Sequence, residues 1–402
     1  MSPFKIQKSI ASRSFAIFTT CLVLLSFNFN IAMAAEQIEY ARDQIAFRFT
    51  NVRRSIVISD IHGDMKALLR ILTAKKLQLF DRNENWIGGD TKLVINGDLI
   101  DGDPDSELIL DFVYGSLRDK ITQGGGSLEI NLGNHELMAI GGDESHMDKA
   151  EKELFARADG SSGKKDFNEI DEHIRHMFRA ANGRYASELR GNNFFTIVNR
   201  TLIIHAGLVR PMLDMSRTMQ NPGDINVIGR EFIKFFQNLT GYPPSKHFDW
   251  IVDLEKDPKD FSKKQKFTEV TGPLSDRSFK IETGKNASRR PEHGLTRKEL
   301  KELLAWFDVD QIVIGHSPTP DSKINFKHPY YGRKVISIDT HRAEIFGGEV
   351  TALEILAGEN GRDQFIAHHL KRRTKDENIK SLRKAQKEES LSKPRLCREL
   401  FL

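Results

Sequence analysis

Short runs of aliphatic and β-branched residues recur along the chain, and each stops at a polar cluster. They fall at residues 55–59 (SIVIS), 92–96 (KLVIN), 127–132 (SLEINL), 201–205 (TLIIH), 311–315 (QIVIG) and 335–338 (VISI), with residues 194–198 and 351–355 as further candidates. Runs of this length with little polar alternation predict strands buried on both faces. Between several of them the hydrophobic period lengthens to that of a helix. Residues 65–76 place Leu68, Leu69 and Leu72 on one side, and residues 107–117 behave similarly. Residues 296–307 open with Thr296-x-x-Glu299, a capping box, and carry Leu300, Leu303, Leu304 and Phe307 on one stripe. Strands alternating with helices predict a layered α/β fold.

Two stretches break the alternation and read as insertions over the sheets: a charged, helical pattern at residues 141–190, interrupted by Gly160–Ser161–Ser162–Gly163, and residues 210–290, with an apolar helix expected at 225–237. The expected organisation is therefore a removable start at 1–34, one domain at 35–370 with helical insertions forming a cap, and a tail at 371–402 that is a solvated helix or disordered. The start has a basic stretch (Lys5, Lys8, Arg13), an apolar run and small residues at Ala32–Met33–Ala34. That is the pattern of a bacterial secretory signal cut between Ala34 and Ala35, so the mature protein is expected to be periplasmic or secreted, without stable membrane insertion. An uncleaved anchor is the competing reading, but the apolar run is short for a span.

Composition narrows the function classes. With 402 residues, 39% hydrophobic, 29% charged and 2 Cys, the chain is neither collagen-like, nor low-complexity, nor a disulfide scaffold. Loss of Cys21 with the signal leaves Cys397, so no intrachain disulfide is expected. The net charge of +4 is carried by the two ends. The folded part between them is mildly acidic, which gives no reason to expect a nucleic-acid partner.

The polar clusters at the strand ends carry the chemistry. SIVIS is followed by Asp60-Ile61-His62-Gly63-Asp64, KLVIN by Gly97-Asp98-Leu99-Ile100-Asp101, and SLEINL by Gly133-Asn134-His135-Glu136. TLIIH runs into Ala206-Gly207 from His205, and QIVIG is followed by His316-Ser317-Pro318. Ligands of open α/β sheets bind at the carboxyl ends of strands, so these side chains can converge. Oxygen and imidazole donors without thiolate suit Mn²⁺, Fe or Zn²⁺, and the set is large enough for two ions. A bridging carboxylate, for which Asp98 is placed, would hold them roughly 3.5–4 Å apart, as in two-metal hydrolytic sites.

The ordered blocks DxHG, GDxxD, GNHE, HAG and GHSP resemble those of the calcineurin-like metallophosphoesterase superfamily. GNHELMAIGGD (133–143), IIHAGL (203–208), GPLSDR (272–277) and VIGHSPTP (313–320) are most similar to its Shewanella-like phosphoprotein phosphatases. The resemblance implies a β-sandwich flanked by helices and two divalent cations, Mn²⁺ first among them. It assigns Asp60, His62 and Asp98 to one metal, and Asp98, Asn134, His205 and His316 to the other. It makes His135 the general acid and Asp101 the residue that orients it, with a metal-bridging hydroxide attacking a phosphomonoester of a phosphorylated protein or peptide. In one place the chain departs from the family. The usual Asp-Arg-Gly, which supplies a phosphate-clamping arginine, reads Asp101-Gly102-Asp103 here. Arg277 matches the family's other phosphate arginine, and Arg210 is a weaker candidate. Two alternatives remain open: a dinucleoside polyphosphate or nucleotide hydrolase, whose blocks are similar, and a non-catalytic scaffold. His341, which follows a strand in Ile338-Asp339-Thr340, is a further candidate for contact with substrate.

Overall fold

In a computed structural model, the described residues are 47–370, except 142–144, 148, 158–166, 180–182, 219–273, 287, 292–293, 341–347 and 359. The expected signal, the charged tail, Gly160–Gly163, the helix at 225–237 and His341 therefore lie outside them.

Ten strands form two five-stranded sheets among the described residues. One has the order β10 (Gln364–Leu370), β9 (Val350–Leu356), β2 (Arg54–Ile58), β3 (Lys92–Asn96) and β4 (Ser127–Asn131). The other has the order β1 (Arg48–Phe49), β5 (Phe195–Val198), β6 (Thr201–Ile204), β7 (Gln311–Ile314) and β8 (Val335–Ser337). Strands β2, β3 and β4 run parallel, as do β6, β7 and β8. β5 and β6 make a tight antiparallel hairpin, while β9 and β10 run antiparallel beside β2. The continuous apolar runs are explained by this arrangement, since β3, β5 and β6 are buried along their whole length.

One shared core joins the sheets: Val57, Val94, Leu353 and Ile355 of the first meet Val198, Ile203, Val313 and Ile336 of the second. Beside it runs a polar clasp. Asn131 donates from Nδ2 to Asn96 Oδ1 (2.9 Å) and to the Ile203 carbonyl (3.1 Å), and its Oδ1 accepts from the Thr196 hydroxyl at 2.7 Å. Asn96 in turn donates to the Ile204 carbonyl at 3.1 Å. Buried amides need such complete partnering, and here it also fixes how the strand ends of one sheet face those of the other.

Helices α1 (Met65–Leu72), α2 (Ser106–Phe112) and α3 (Arg118–Gln123) lie on the connections between β2, β3 and β4. Asp64 caps α1 by accepting from the Ala67 N–H at 2.8 Å, and the helix stops at Leu72, four residues before the sequence pattern ends. The wide turn Val113–Leu117, in which Gly115 leaves helical geometry, carries α2 on into α3. After β4 come α4 (Asn134–Gly141), α5 (Lys149–Arg157), α6 (Phe167–Arg179) and α7 (Ala186–Arg190), the helical insertion. It is held by Phe155, Phe178 and Tyr185 packed ring against ring, and by Tyr185 and Arg184 bonding to Asp111 of α2. Helices α8 (Arg210–Thr218) and α9 (Arg297–Trp306) flank the second sheet, and Thr296 and Glu299 form the expected capping box. Among the described residues no helix is long and apolar enough to cross a membrane.

Candidate functional site

The loops that leave β2, β3, β4, β6 and β7 bring Asp60, His62, Asp98, Asp101, Asn134, His135, His205 and His316 to one end of the sandwich. Their backbone is unusual. Asp60, His62, Asp98, Asp101 and His316 all have left-handed φ, between 49° and 65°. Such values cost a non-glycine residue energy and persist where surrounding bonds over-determine them. Here the bonds are visible: Asp60 N–H donates to the Gly97 carbonyl (3.1 Å), His62 N–H to the Asp98 carbonyl (2.9 Å) and Gly63 N–H to the Leu99 carbonyl (2.8 Å). The loops thus continue the β2–β3 pairing past the strands.

Asp98 is the hub. Its Oδ2 lies 3.1 Å from His205 Nε2, 3.6 Å from His62 Nε2 and 3.9 Å from His135 Nε2. Two sets of candidate ligand atoms, each within 4.8 Å of one another, share it: His62, Asp98 and His135, and Asp98, His205 and His316. Asn134 Oδ1 is 3.2 Å from His205 Nε2, and Asp60 Oδ1 accepts from the His316 N–H at 2.9 Å. Gly133 is needed for this convergence, because a Cβ there would lie 2.1 Å from Asp98 Oδ1.

The outer bonds prepare the imidazoles. His62 Nδ1 bonds the Asp101 carbonyl and His205 Nδ1 the Asn96 carbonyl, both at 2.8 Å, which places a proton on each Nδ1 and turns each Nε2 toward the hub. His316 Nε2 bonds the Ser275 carbonyl at 3.0 Å, leaving Nδ1 available. Burial opposes charge throughout, yet the Asp98 carboxylate overcomes it at His205, raised to about 10, and with Asp101 at His135, raised to about 9. His62 and His316 stay on the other side: burial lowers both. Asp98 is buried as well, and the His205 and His135 charges hold it well below the usual carboxylate range. A buried acidic hub that draws positive charge onto its neighbours, ringed by imidazole nitrogens and oxygens without thiolate, fits divalent cations.

His135 Nδ1 bonds Asp101 Oδ2 at 2.8 Å, so its Nε2 faces the hub. Arg277 is exposed, and its charge reaches His316, whose protonation it opposes. Arg210 starts α8, and its guanidinium bonds Glu299 at 2.8 and 3.3 Å.

Three residues go beyond the sequence expectation. Glu136 is buried and accepts from the N–H groups of Asp98 (2.9 Å), Leu99 (2.7 Å) and Gly133 (2.8 Å), tying two site loops together. Glu151 of α5, also buried, accepts from the Asp101 N–H at 3.1 Å. His146, exposed, sits edge-on to His135 with ring centroids 5.2 Å apart. Glu136 belonged to a motif block that could have flagged it. The other two carry no signal in the sequence, because the fold alone brings the insertion to Asp101 and His135.

Strands ending in a shared buried centre of carboxylates and imidazoles define a metal-dependent phosphoesterase. The chain belongs to the calcineurin-like phosphoesterase family, whose profile matches residues 53–320; the family depends on two metals. It is 29% identical over 164 residues to Shewanella-like protein phosphatase 1 of Plasmodium berghei (strain Anka), a match covering 40% of this chain and 41% of that protein. The chain thus spans less than half the length of that relative. It is 26% identical over 316 residues to the symmetrical bis(5'-nucleosyl)-tetraphosphatase of Legionella pneumophila (strain Philadelphia 1), covering 74% of this chain and 92% of that one. Its fold is similar to that of a cold-active protein-tyrosine phosphatase of a psychrophilic Shewanella, with a TM-score of 0.54 and 21% identity over 81% of this chain and 84% of the other.

Proposed function

We propose that the protein is an exported dimetal phosphatase that removes phosphate from phosphoprotein, at tyrosine or at serine and threonine. The observation that carries this reading is the His135–Asp101 pair, bonded at 2.8 Å, with the other nitrogen of His135 turned to Asp98. Asp60, His62 and Asp98 would hold one cation, and Asp98, Asn134, His205 and His316 the other, with Mn²⁺ the first choice for such donors and Fe or Zn²⁺ also suited. When bound, the cations supply the positive charge that acidifies water and neutralises phosphoryl oxygens.

The chain's own residues do the rest. Water provides the oxygen that joins phosphorus as the ester P–O bond breaks, and His135 Nε2 gives its proton to the departing oxygen. Asp101 fixes the proton of His135 on Nδ1, holds the ring in place and stabilises its charged form before transfer. Arg277, exposed beside His316, is the cation for the phosphate's outer oxygens, a task suited to a guanidinium. The Shewanella-like relative's name supports a protein substrate. The dinucleotide reading is supported by the 92% of the symmetrical tetraphosphatase that the match covers. Export rests on the signal-like start, and N-terminal sequencing of the mature protein should begin at Ala35.

The test is a parallel assay of Mn²⁺-reconstituted protein on phosphotyrosine peptide, phosphoserine peptide and dinucleoside tetraphosphate. Release of inorganic phosphate from a peptide is expected. Asp98→Asn should abolish it without disturbing the loop, since Asn tolerates the φ of 53° at that position. His135→Ala should lower kcat by ~10²–10⁴-fold. Turnover indifferent to both changes would overturn the mechanism, and preference for the dinucleotide over both peptides would replace the substrate reading.

A further inference from the structure

We infer that Glu151, supplied by the helical insertion, is a positioning residue for the general acid, setting the aim of Asp101 and through it of His135. This rests on the phosphatase reading above.

The path is short. Glu151 is fully buried, and its Oε1 accepts from the Asp101 N–H at 3.1 Å, a donor shared with the Ser106 hydroxyl at 3.2 Å. The other oxygen lies 3.5 Å from the Gly102 N–H, and Ser106 bonds the same carboxyl. Asp101 has a φ of 65°, so its backbone must be held in place from outside. Its carboxylate then reaches His135 at 2.8 Å. Among the described residues, Ser106 and Glu151 are the acceptors that hold that N–H.

The departure from Asp-Arg-Gly falls on the same spot. Gly102 has φ +143°, and a Cβ there would lie 3.0 Å from the His62 carbonyl oxygen. An arginine would be strained in this turn, which presents a backbone N–H toward Glu151 instead of a side chain toward phosphate. The helix that brings Glu151 is itself fixed: Lys152 pairs with Asp171 of α6 at 2.8 Å, and Phe155 packs on Phe178 and Tyr185. Burial first, and the Asp101 charge after it, raise the Glu151 carboxyl to about 8, so glutamine mimics its neutral form at pH 7.

The experiment compares wild type, Glu151→Ala and Glu151→Gln, each reconstituted with Mn²⁺, on aryl and alkyl phosphates of rising leaving-group pKa. A poor leaving group depends on protonation, and a good one does not. Glu151→Ala is expected to lose roughly 10–100-fold in kcat on the alkyl ester and under about 3-fold on the best aryl ester, with KM and metal content unchanged. Glu151→Gln should stay within about 3-fold of wild type throughout, the conservative rescue. Unchanged rates in Glu151→Ala, or an equal loss on every ester, would overturn the inference. If Glu151→Ala does not fold, Glu151→Asp, with its carboxyl withdrawn by one methylene, reads the same slope. A second readout needs no turnover. In NMR of the metal-free protein, the ring Nδ1–H signal that vanishes in His135→Ala should persist in Glu151→Gln and be lost in Glu151→Ala; its survival in Glu151→Ala would refute the link. Wild type inactive on every ester would instead refute the phosphatase reading, leaving the NMR result to judge Glu151.

Discussion

Glu136 shows how much of the site is built by side chains that never face the substrate. Three backbone N–H groups, of Asp98, Leu99 and Gly133, end on its buried carboxylate. Glu136→Ala would leave all three without this acceptor in a place closed to water. At about 1–3 kcal/mol for each buried unsatisfied group, the loss should be at least about 3 kcal/mol, read by urea denaturation of the metal-free protein. Because those N–H groups place Asp98, the same variant should bind Mn²⁺ roughly 10–100-fold more weakly in calorimetry. A variant as stable and as tight as wild type would show that the loops hold themselves. The residues at strand ends were legible in the sequence because each follows an apolar run, and a run followed by Asp, Asn or His is a local pattern. Glu151 was not: within Lys149–Arg157 it reads as one more charge on a solvated helix, and its burial follows from packing that no local pattern encodes.

At the scale of elements, the sequence located eight strands to within a residue or two, since hydrophobic runs and polar punctuation are both local. It missed β1, whose two residues are too few to make a run, and β10, where a half-buried edge strand alternates weakly. Pairing direction was also illegible, because β5 and β6 look like their parallel neighbours until the turn at Asn199, with φ 51°, folds one onto the other. The capping box of α9 was fully legible and does more than cap. Glu299 accepts from the Thr296 N–H at 2.7 Å and also holds the Arg210 guanidinium, joining α8 to α9. Thr296→Ala should cost about 1 kcal/mol. Arg210 first, then Thr296, lower the Glu299 carboxyl from 4.5 to about 2. The folded state therefore holds fewer protons than the unfolded one in that interval, and stability falls with acid. The gap in Tm between wild type and Glu299→Gln should be constant above pH 4.5 and close as the pH drops toward about 2. A gap independent of pH would mean that the carboxylate charge contributes nothing.

For the whole molecule, the decisive fact is that the proposed metal donors are divided between the two sheets. Asp60, His62, Asp98 and Asn134 follow strands of one, His205 and His316 strands of the other. Cations bound by both sets would bridge the sandwich at one end, while the clasp of Asn96, Asn131 and Thr196 bridges it underneath. The two bridges are linked through one residue, since Asn96 faces His205 Nδ1 with its backbone carbonyl at 2.8 Å and accepts from Asn131 Nδ2 on its side-chain oxygen at 2.9 Å. Binding that requires both sheets in register must stabilise the fold as a whole, because the unfolded chain cannot assemble the set. At a metal concentration 100-fold above Kd, the gain is about 2.7 kcal/mol for a single site. Thermal unfolding with Mn²⁺ and with chelator should therefore differ by several degrees in the wild type. The difference should vanish in Asp98→Asn, which removes the hub's charge, and shrink in Asn131→Ala, which loosens the sheets without touching a donor. Equal Tm values with and without metal in the wild type would mean that no ion binds the folded chain in preference to the unfolded one, and the bridging arrangement would fall with it.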